Sequence, residues 1–565
     1  MGFLSAFVVL FVLTIVSIGW GQWIWARVFQ LSRAQVVPID LSYYGLIGLF
    51  GLGMLGVLLN FLLPLTPVIQ WFCTTVGLGL FVRAVTKKQI NTPNNTRLEW
   101  LQLSLCLAIF SWWSTKLGWG YDSGLYTLQS IAWMTQEPVP VGIANLHGRL
   151  AFNSIWLSAL SIFDWGGIEA SAKFVANGLL ASFFFSLLIG FLVGSKHCRR
   201  LGGEMLFLNI LLLASVFFLF WHGPNIDTDY PVAVLVILVY VNFLTAEQPG
   251  LSEHDVLKRL LLIWLLGGFA VLCKISAAPV LILPVIETFL ALKRGHDLRR
   301  CLVGPVLVLI MATAWTVRSF LLSGCLAYPI VPGCSDSVAW GAGTDLALSY
   351  SDAIIGWAQS RSLSPGQGWG WVSEWVVIHQ PFLIDYGYLV QALIAAILVL
   401  MVFSILRRMP TPRAPRGFPN GRYPIAMAVT ILSLGFWFVT APEPRFAMGS
   451  IIVFTSLSIA GVIVLLKIAA ALENSPLSRQ YWLFSLPAAL LIALVRYETP
   501  FFTAAPSGAS LNAAVIHVRD GNEIRMPLEG DQCWQISIPC TPYLSPETRY
   551  STDGWYPVFT RERVD

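Results

Sequence analysis

The stretch GLIGLFGLGMLG, residues 45–56, lies inside an apolar run that extends from residue 42 to residue 64 without a charged side chain. A transmembrane helix needs roughly 20 consecutive apolar residues, so this run is long enough to cross a bilayer. Its regularly spaced glycines are typical of membrane helices whose backbones approach one another closely. The stretch therefore predicts a membrane-spanning helix that can pack closely against its neighbours.

The rest of the chain has the same character. Of its 565 residues, 56% are apolar and only 12% are charged, whereas soluble proteins carry about 25% charged residues. The apolar runs are continuous rather than alternating, which favours helices over a β-barrel. The net charge of +5 does not indicate nucleic acid, because most Lys and Arg fall in short loops between runs. The first run lacks a preceding basic residue and a clear cleavage site, so we interpret it as a span rather than a signal peptide.

These patterns predict an all-α polytopic membrane protein with about fourteen transmembrane helices. The predicted spans are residues 3–25, 42–64, 67–85, 99–115, 168–194, 204–221, 230–246, 258–272, 277–292, 301–322, 386–406, 423–440, 446–466 and 481–497. The apolar segment 151–163 is short, and we predict a re-entrant or interfacial piece there. Residues 1–497 then form the membrane domain, with large outer loops at 116–167 and 323–385. The polar tail, residues 498–565, is predicted to be a small extracytoplasmic domain.

Basic residues predict the orientation of this layout. The loops that follow the first, third, fifth, ninth and eleventh spans are rich in Lys and Arg and fall on one face. The positive-inside rule makes that face cytoplasmic, which places both termini and the two large loops outside.

Cysteines on the outer face form two close pairs, Cys325 with Cys334 and Cys533 with Cys540. Such pairs predict two disulfides in an oxidising compartment, and four unrelated thiols are the alternative. The remaining cysteines lie in spans or at the cytoplasmic face and are predicted to be free: Cys73, Cys106, Cys198, Cys273 and Cys301.

The first large outer loop opens with WGYDSGLYTLQSIAWM, residues 119–134, in which Asp122 stands between Tyr121 and Tyr126 at the end of an apolar run. A carboxylate there can act as a general base towards an acceptor hydroxyl. It can also cap the helix that follows, and the two roles are compatible. The apolar residues of 125–134 recur at helical spacing, so we predict an amphipathic helix in the membrane interface.

Further along the same loop, IANLHGRLAFNS at 143–154 concentrates polar side chains between apolar segments, namely Asn145, His147, Arg149 and Asn153. Such a cluster could bind a sugar or a phosphate, and ordinary hydrogen bonding within the loop is the alternative.

The short outer loop WHGPNIDTDYP, residues 221–231, contains His222, Asp227 and Asp229. An Asp-x-Asp pair beside a histidine offers oxygen and nitrogen ligands to a divalent cation. The same carboxylates could orient a sugar, and a solvated turn is the third interpretation.

Cationic side chains end several predicted outer helices. Lys274 in LCKISAAP could bind a lipid phosphate or extend to the headgroups without a further role. Arg318 in WTVRSFLLSG could grip phosphate oxygens in a bidentate manner. Glu443 and Arg445 share the tight turn APEPRF, where they could pair with each other or Arg445 could bind phosphate.

The stretches YDSGLYTLQSIAWM, ANLHGRLAFNS, DTDYP, CKISAAP and APEPRF resemble a bacterial branch of the GT-C superfamily of integral membrane glycosyltransferases. The resemblance covers most of the membrane region and is looser in the tail. It implies a GT-C-like core, a polyprenyl-phosphate-linked sugar as donor, and an aspartate in the first outer loop as base, at the position of Asp122. The superfamily usually carries this acid after its first span, whereas Asp122 follows the fourth predicted span.

We therefore predict an inverting glycosyltransferase of the bacterial plasma membrane whose active site faces outwards. Asp122 would serve as the base, and the acceptor would be a glycan, a lipid or a protein. The outer cations would stabilise the departing phosphate. No cofactor is required by this prediction, although a divalent cation at Asp227 and Asp229 is compatible with it. The rivals are a polymerase or ligase outside the superfamily, which would depend on His147 or Arg149, and a transporter or flippase for lipid-linked sugars.

Overall fold

The computed structural model describes residues 2–31, 36–90, 96–115, 120–165, 172–194, 203–219, 225–245, 252–391, 421–465 and 514–561. The described chain is mostly helical, with four short strands near its carboxyl end. The α-helices with their bounds are α1 (Phe3–Leu31), α2 (Leu41–Asn60), α3 (Pro67–Thr86), α4 (Thr96–Ser114), α5 (Leu128–Gln136), α6 (Ile155–Ile162), α7 (Ala176–Gly194), α8 (Gly203–Leu219), α9 (Asp229–Leu244), α10 (Glu253–Cys273), α11 (Ile282–Lys293), α12 (Leu298–Ser323), α13 (Gly343–Ser360), α14 (Trp371–Ile378), α15 (Arg422–Thr440) and α16 (Met448–Leu465).

Nine helices within the described residues are long and apolar enough to cross a membrane. Two shorter apolar helices, Leu206–Leu219 and Asp229–Leu244, fall in two further predicted spans. The predominantly helical, membrane-type fold is thus confirmed, whereas the predicted number of fourteen spans is not. The predicted span 481–497 and most of 386–406 lie outside the described residues.

The glycines of α2 lie where other helices come into backbone contact. A Cβ atom at Gly48 would lie 1.8 Å from the carbonyl oxygen of Ser17 in α1, and one at Gly53 would lie 2.4 Å from that of Ile155 in α6. Because neither backbone could retreat without breaking its own helix, these positions accept only glycine. The glycine-rich stretch therefore packs closely, as its sequence predicts, and the structure shows that its partners at these two glycines are α1 and α6.

The apolar segment predicted to be re-entrant contains α6, which has only eight residues. Every one of these residues is buried in the protein. Ser154 accepts a hydrogen bond from the backbone N–H of Trp156 and so caps the first turn. A helix this short cannot cross a bilayer, and its complete burial places it inside the bundle rather than at the lipid surface.

The tail folds onto the first large outer loop. Its strands are β1 (Ala514–Arg519), β2 (Asn522–Pro527), β3 (Thr548–Ser551) and β4 (Val558–Arg561), paired as two antiparallel hairpins, β1 with β2 and β3 with β4. Val141 of the loop bonds to the backbone of Pro557 and Phe559 at 2.9 Å each. Phe559 packs edge to face on Trp133 with ring centroids 5.7 Å apart. Loop and tail therefore share one apolar core.

Both cysteine pairs suggested by the sequence are disulfide-bonded in the structure, Cys325 to Cys334 and Cys533 to Cys540. Four of the cysteines predicted to be free are free and buried, and Cys198 lies outside the described residues. The second disulfide closes the tail segment that covers the outer loop. This disulfide thereby restrains the tail where it contacts the loop.

Candidate functional site

Five charged side chains from four separate parts of the chain meet at one place, and we call them the outer cluster: Asp122, Arg149, Asp229, Lys274 and Arg445. Arg445 lies at the centre, because its Nη1 is 2.8 Å from Oδ2 of Asp122 and its Nε is 3.6 Å from Oδ2 of Asp229. Arg149 approaches Asp122 from the other side at 3.7 Å. Lys274 pairs with Oδ1 of Asp229.

Four of the five members stand at or beside the ends of helical elements, and Arg149 lies in the 3-10 turn Gly148–Ala151. Asp122 directly precedes a π-helical turn, Ser123–Thr127, but its side chain makes no capping hydrogen bond and contacts the two arginines instead. Asp229 begins α9, and Lys274 separates α10 from the 3-10 helix Ile275–Leu281. Arg445 lies in the 3-10 turn Pro444–Ala447, which joins α15 to α16. The helix ends therefore converge on a single point.

The exposure of the cluster is asymmetric. The carboxylates are shielded, with side-chain exposures of 11% for Asp122 and 7% for Asp229. The three cations remain 25–28% exposed. Lys274 also lies over the ring of Phe446 at 3.5 Å, a contact that helps to hold the ammonium in place. Two further carboxylates, those of Asp227 and Glu443, act on Arg445 as well. The cluster thus exposes its cations more than the carboxylates they pair with.

A shallow cleft with largely apolar walls begins at Asp229 and Arg445. Its walls come from α9, the 3-10 helix after Lys274, α15 and the start of α16, and include Val232, Val280 and Trp437. Ser276 also lines the cleft, and its buried hydroxyl has no hydrogen-bond partner in the part of the chain that the structure describes. A charged end on a largely apolar groove suits a ligand with an anionic head and a hydrocarbon body.

Glu443 and Arg445 take different partners, so the tight turn is not held by a pair between them. Glu443 Oε2 accepts from Arg361 Nη1 at 2.8 Å and lies 3.2 Å from His379 Nε2. Burial opposes the ionisation of Glu443, but His379 and Arg361 outweigh it and hold its pKa below the ordinary value. Glu443 thereby fixes the second outer loop to the turn that carries Arg445.

Asp227 has a local structural role. Its Oδ1 accepts from the backbone N–H groups of Asp229 and Tyr230 at 3.2 and 3.4 Å, and its Oδ2 accepts from Asn225 at 2.6 Å. Burial and the neighbouring Asp229 carboxylate raise its pKa to about 6. Asp227 therefore satisfies the first turn of α9.

The cation interpretation of Asp227 and Asp229 fits this geometry poorly. Asp229 is already neutralised by Lys274 and Arg445. The described residues contain no group of three or more His, Cys, Asp or Glu that could hold a metal ion. Asp227 thus accepts hydrogen bonds from donors of the protein, and Asp229 pairs with two of its cations.

Arg318 lies away from the outer cluster. It is buried in α12 and donates to the amide oxygens of Asn153 at 3.1 Å and Asn60 at 3.4 Å. Asn145 donates to backbone carbonyls of both Trp340 and Phe559. These side chains join the first large outer loop to α2, α12 and the tail. Their contacts are hydrogen bonds within the protein, which is the alternative to sugar or phosphate binding.

His147 is 1% exposed, and burial together with Arg149 lowers its pKa to about 3, so the imidazole is neutral. Tyr126 is buried beside the outer cluster, and burial raises its pKa, so the phenol keeps its proton. Tyr121 is exposed and donates to Asp531 of the tail. His222 lies outside the described residues.

The helix behind Asp122 departs from its prediction. α5 is nine residues long, and Leu128, Gln129, Ser130, Ile131, Trp133 and Met134 are all buried. Gln129, on the side expected to be polar, donates to the backbone of Trp534 and Ile536 at 3.2 and 2.7 Å. The helix is therefore covered by the tail, and its amphipathic pattern reflects two protein neighbours rather than the membrane interface.

Sequence reasoning missed Arg361 and His379, which hold Glu443, and Asp531, which joins Tyr121 to the tail. Each lies in a polar outer segment far along the chain from its partner. Their residue types alone gave no signal, because such side chains are ordinary in solvated loops.

Comparison with curated proteins and with solved structures yields no match. A family model described as a domain of unknown function, DUF8201, matches residues 3–452, which include α1 to α15 and all five members of the outer cluster. The chain therefore belongs to the DUF8201 family.

Proposed function

We propose that this protein transfers a sugar from a polyprenyl-phosphate donor to an acceptor hydroxyl at the outer face of a bacterial plasma membrane. The observation that carries the proposal is the junction between the outer cluster and the apolar cleft. There, partly exposed cations stand at one end of a groove whose walls are largely apolar. A lipid phosphate needs both features within one site, since its charge and its hydrocarbon chain are covalently joined.

The donor phosphate would lie against Lys274 and Arg445. Both cations belong to turns at helix ends, and each is already oriented by Asp229 and by the ring of Phe446. Preoriented cations stabilise charge as it develops without having to reorganise. The hydroxyl of Ser276 would donate to the same head group, and the prenyl chain would follow the apolar walls of the cleft.

In the reaction, the acceptor oxygen attacks the anomeric carbon opposite the phosphate. A new carbon–oxygen bond forms while the bond from the anomeric carbon to the phosphate oxygen breaks, and its electron pair leaves with the phosphate. Configuration therefore inverts. The hydroxyl proton passes to Asp122, which later releases it to water, and the leaving phosphate gains the charge that Lys274 and Arg445 neutralise.

Arg445 connects the two halves of this chemistry, because it contacts Asp122 and also borders the cleft. A phosphate that shares Arg445 would loosen its contact with Asp122 and leave that carboxylate freer to accept a proton. Donor binding would thus prepare the base. No step in this scheme requires a metal ion.

The test is transfer of radiolabelled sugar from polyprenyl-phosphate donors in membranes that carry wild-type protein or Asp122→Asn. The amide keeps the shape of the carboxylate but cannot take the proton, so we expect transfer to fall by about 10²–10⁴-fold. Asp345→Asn is the matched control, because Asp345 is an exposed acid of α13 outside the cluster. It should transfer like the wild type.

Three outcomes separate the alternatives. Loss of transfer in a folded Asp122→Asn protein, with the control active, supports the proposal. Equal transfer by both variants removes Asp122 from the chemistry. Absence of transfer by the wild type with every polyprenyl-phosphate sugar, combined with movement of intact donor across vesicles, would establish translocation instead.

A further inference from the structure

The tail carries a second surface beside the outer cluster, formed by Tyr121, Asp531 and Tyr543. Both phenol hydroxyls donate to the same oxygen of Asp531, Oδ2, at 3.1 Å in the case of Tyr543. Both tyrosines are 55% exposed. The shared carboxylate therefore holds two aromatic rings at the surface, each with an apolar face and a polar hydroxyl.

This surface is held rigidly. Gln532 donates to the backbone oxygen of Tyr121 at 2.7 Å, and Trp534 N–H donates to Gly124 O at 3.0 Å. The Cys533–Cys540 disulfide closes the intervening loop. The ring of Tyr543 packs against buried His147 with centroids 5.8 Å apart. A surface restrained in this way loses little entropy when a ligand binds.

The surface is also continuous with the outer cluster. Tyr121 is the residue before Asp122, and the charge of Arg149, which contacts Asp122, acts on the hydroxyls of Tyr121 and Tyr543. A ligand on the two rings would therefore extend towards the carboxylate that the proposed transfer assigns as base. Within the described residues, hydrogen bonds to Asp531 end on Oδ2, so its Oδ1 can accept from a ligand hydroxyl.

We propose that Tyr121, Asp531 and Tyr543 form a binding site for a glycan, which enters the outer cluster as the acceptor. Tyrosine faces pack on the apolar C–H faces of sugar rings, and a carboxylate accepts from their hydroxyls. A phospholipid head group is a poorer match, since its phosphate would meet the Asp531 carboxylate. The acceptor role rests on the proposed sugar transfer, whereas glycan binding itself does not.

The experiment measures binding without any donor. Purified full-length protein in lipid nanodiscs is applied to an array of defined oligosaccharides, with unglycosylated peptides and phospholipid vesicles as competing probes. We expect the wild type to retain oligosaccharides. Tyr543→Ala and Asp531→Asn should each weaken that binding at least tenfold. Trp555→Ala should bind within twofold of the wild type, because Trp555 is an exposed aromatic residue of the tail that hydrogen bonds to Leu62 instead.

Each result decides the proposal. It is overturned if the wild type binds no oligosaccharide, if both surface variants bind like the wild type, or if peptides or vesicles bind instead. Should Tyr543→Ala unfold, Asp531→Asn and Tyr543→Phe decide, because both preserve the packing. Glycan binding without sugar transfer would refute the proposed transfer alone, and transfer to a non-glycan acceptor without glycan binding would refute this site alone.

Discussion

Two charged sites of this protein can be compared directly, the outer cluster and the pair formed by Arg422 of α15 with Glu287 of α11. The pair is bidentate, with Arg422 Nη1 and Nη2 donating to the two carboxylate oxygens at 2.6 and 3.0 Å. Nη1 also donates to Phe243 O at 2.8 Å. The side chains are only 2% and 3% exposed. The described residues thus hold this cation and this anion in direct contact, away from water.

The outer cluster differs in how its charges are shared and in its exposure. Arg445 is shared between Asp122 and Asp229 at 2.8 and 3.6 Å, Arg149 reaches Asp122 only at 3.7 Å, and the cations keep about a quarter of their surface exposed. A balanced, buried pair has nothing further to bind and serves to join helices. Cations that are shared between carboxylates and partly open to solvent can exchange a partner for an added anion. The contrast explains why we assign structure to one site and function to the other.

The largest expected effect concerns the buried pair. Glu287→Leu leaves Arg422 buried without its carboxylate, which should destabilise the protein by about 3–5 kcal/mol. The double variant with Arg422→Leu should recover most of that loss. Thermal unfolding in detergent, followed by tryptophan fluorescence, measures both. A single variant as stable as the wild type would show that the pair does not join these helices.

Arg445→Lys tests whether the outer cluster acts in sugar transfer. Lysine keeps the charge, but a single nitrogen cannot bridge Asp122 and Asp229 as the guanidinium does. We expect sugar transfer to fall by about 10²–10³-fold, the usual effect of losing one charge-stabilising donor, with little change in the unfolding midpoint. Arg300→Lys is the control, because Arg300 pairs with Glu253 and lies outside the outer cluster. Unchanged transfer by Arg445→Lys would remove Arg445 from the mechanism.

Gly124→Ala tests whether the tail is part of the outer site. A Cβ atom at Gly124 would lie 2.5 Å from the ring of Trp534 and would push the tail away from the loop. Overpacking of this kind costs about 1–3 kcal/mol, and the lower midpoint should be accompanied by faster proteolysis of the tail. Gly435→Ala in α15 has no atom within 4 Å of the new Cβ and should be tolerated. Equal behaviour of the two variants would show that the tail is not fixed there.

The last expected effect is a pH dependence of the stability to which His147 contributes. The pKa of His147 is lowered to about 3 in the folded protein, against about 6.5 when unfolded. Its contribution to stability is therefore present above pH 6.5 and lost as the pH falls towards 3, by up to about 1.4 kcal/mol per unit.

The pKa of Asp227 is raised to about 6, so protonation of Asp227 increases the stability of the folded protein as the pH falls below 6, opposite to the effect of His147. The His147→Gln variant keeps the Asp227 effect, so the difference between this variant and the wild type isolates the contribution of His147. Unfolding midpoints of both proteins, measured from pH 7.5 to 5, should converge on acidification. Parallel midpoints would show that His147 is not buried in its neutral form.

Much of the fold could be predicted from the sequence. Continuous apolar runs favour membrane-spanning helices over soluble domains and β-barrels. The glycines of α2 predict close helix packing, but they do not identify the partner helix. Asp122, Asp229, Lys274 and Arg445 could be selected as candidates because charged groups are costly at the edge of a membrane. Arg318 shows the limit of this reasoning, since its residue type and position fit a phosphate ligand, yet it is buried between Asn153 and Asn60.

The sequence by itself determined that the chain is helical, apolar and membrane-type, because these properties follow from residue type and local spacing. Only the tertiary structure decided which charges meet. Arg445 joins Asp122 rather than Glu443, and the tail covers the helix that was expected to contact lipid. The physical reason is that ion pairs and packing depend on distances between segments far apart in the chain. Those distances are set by the close contacts of helices and not by any one helix alone.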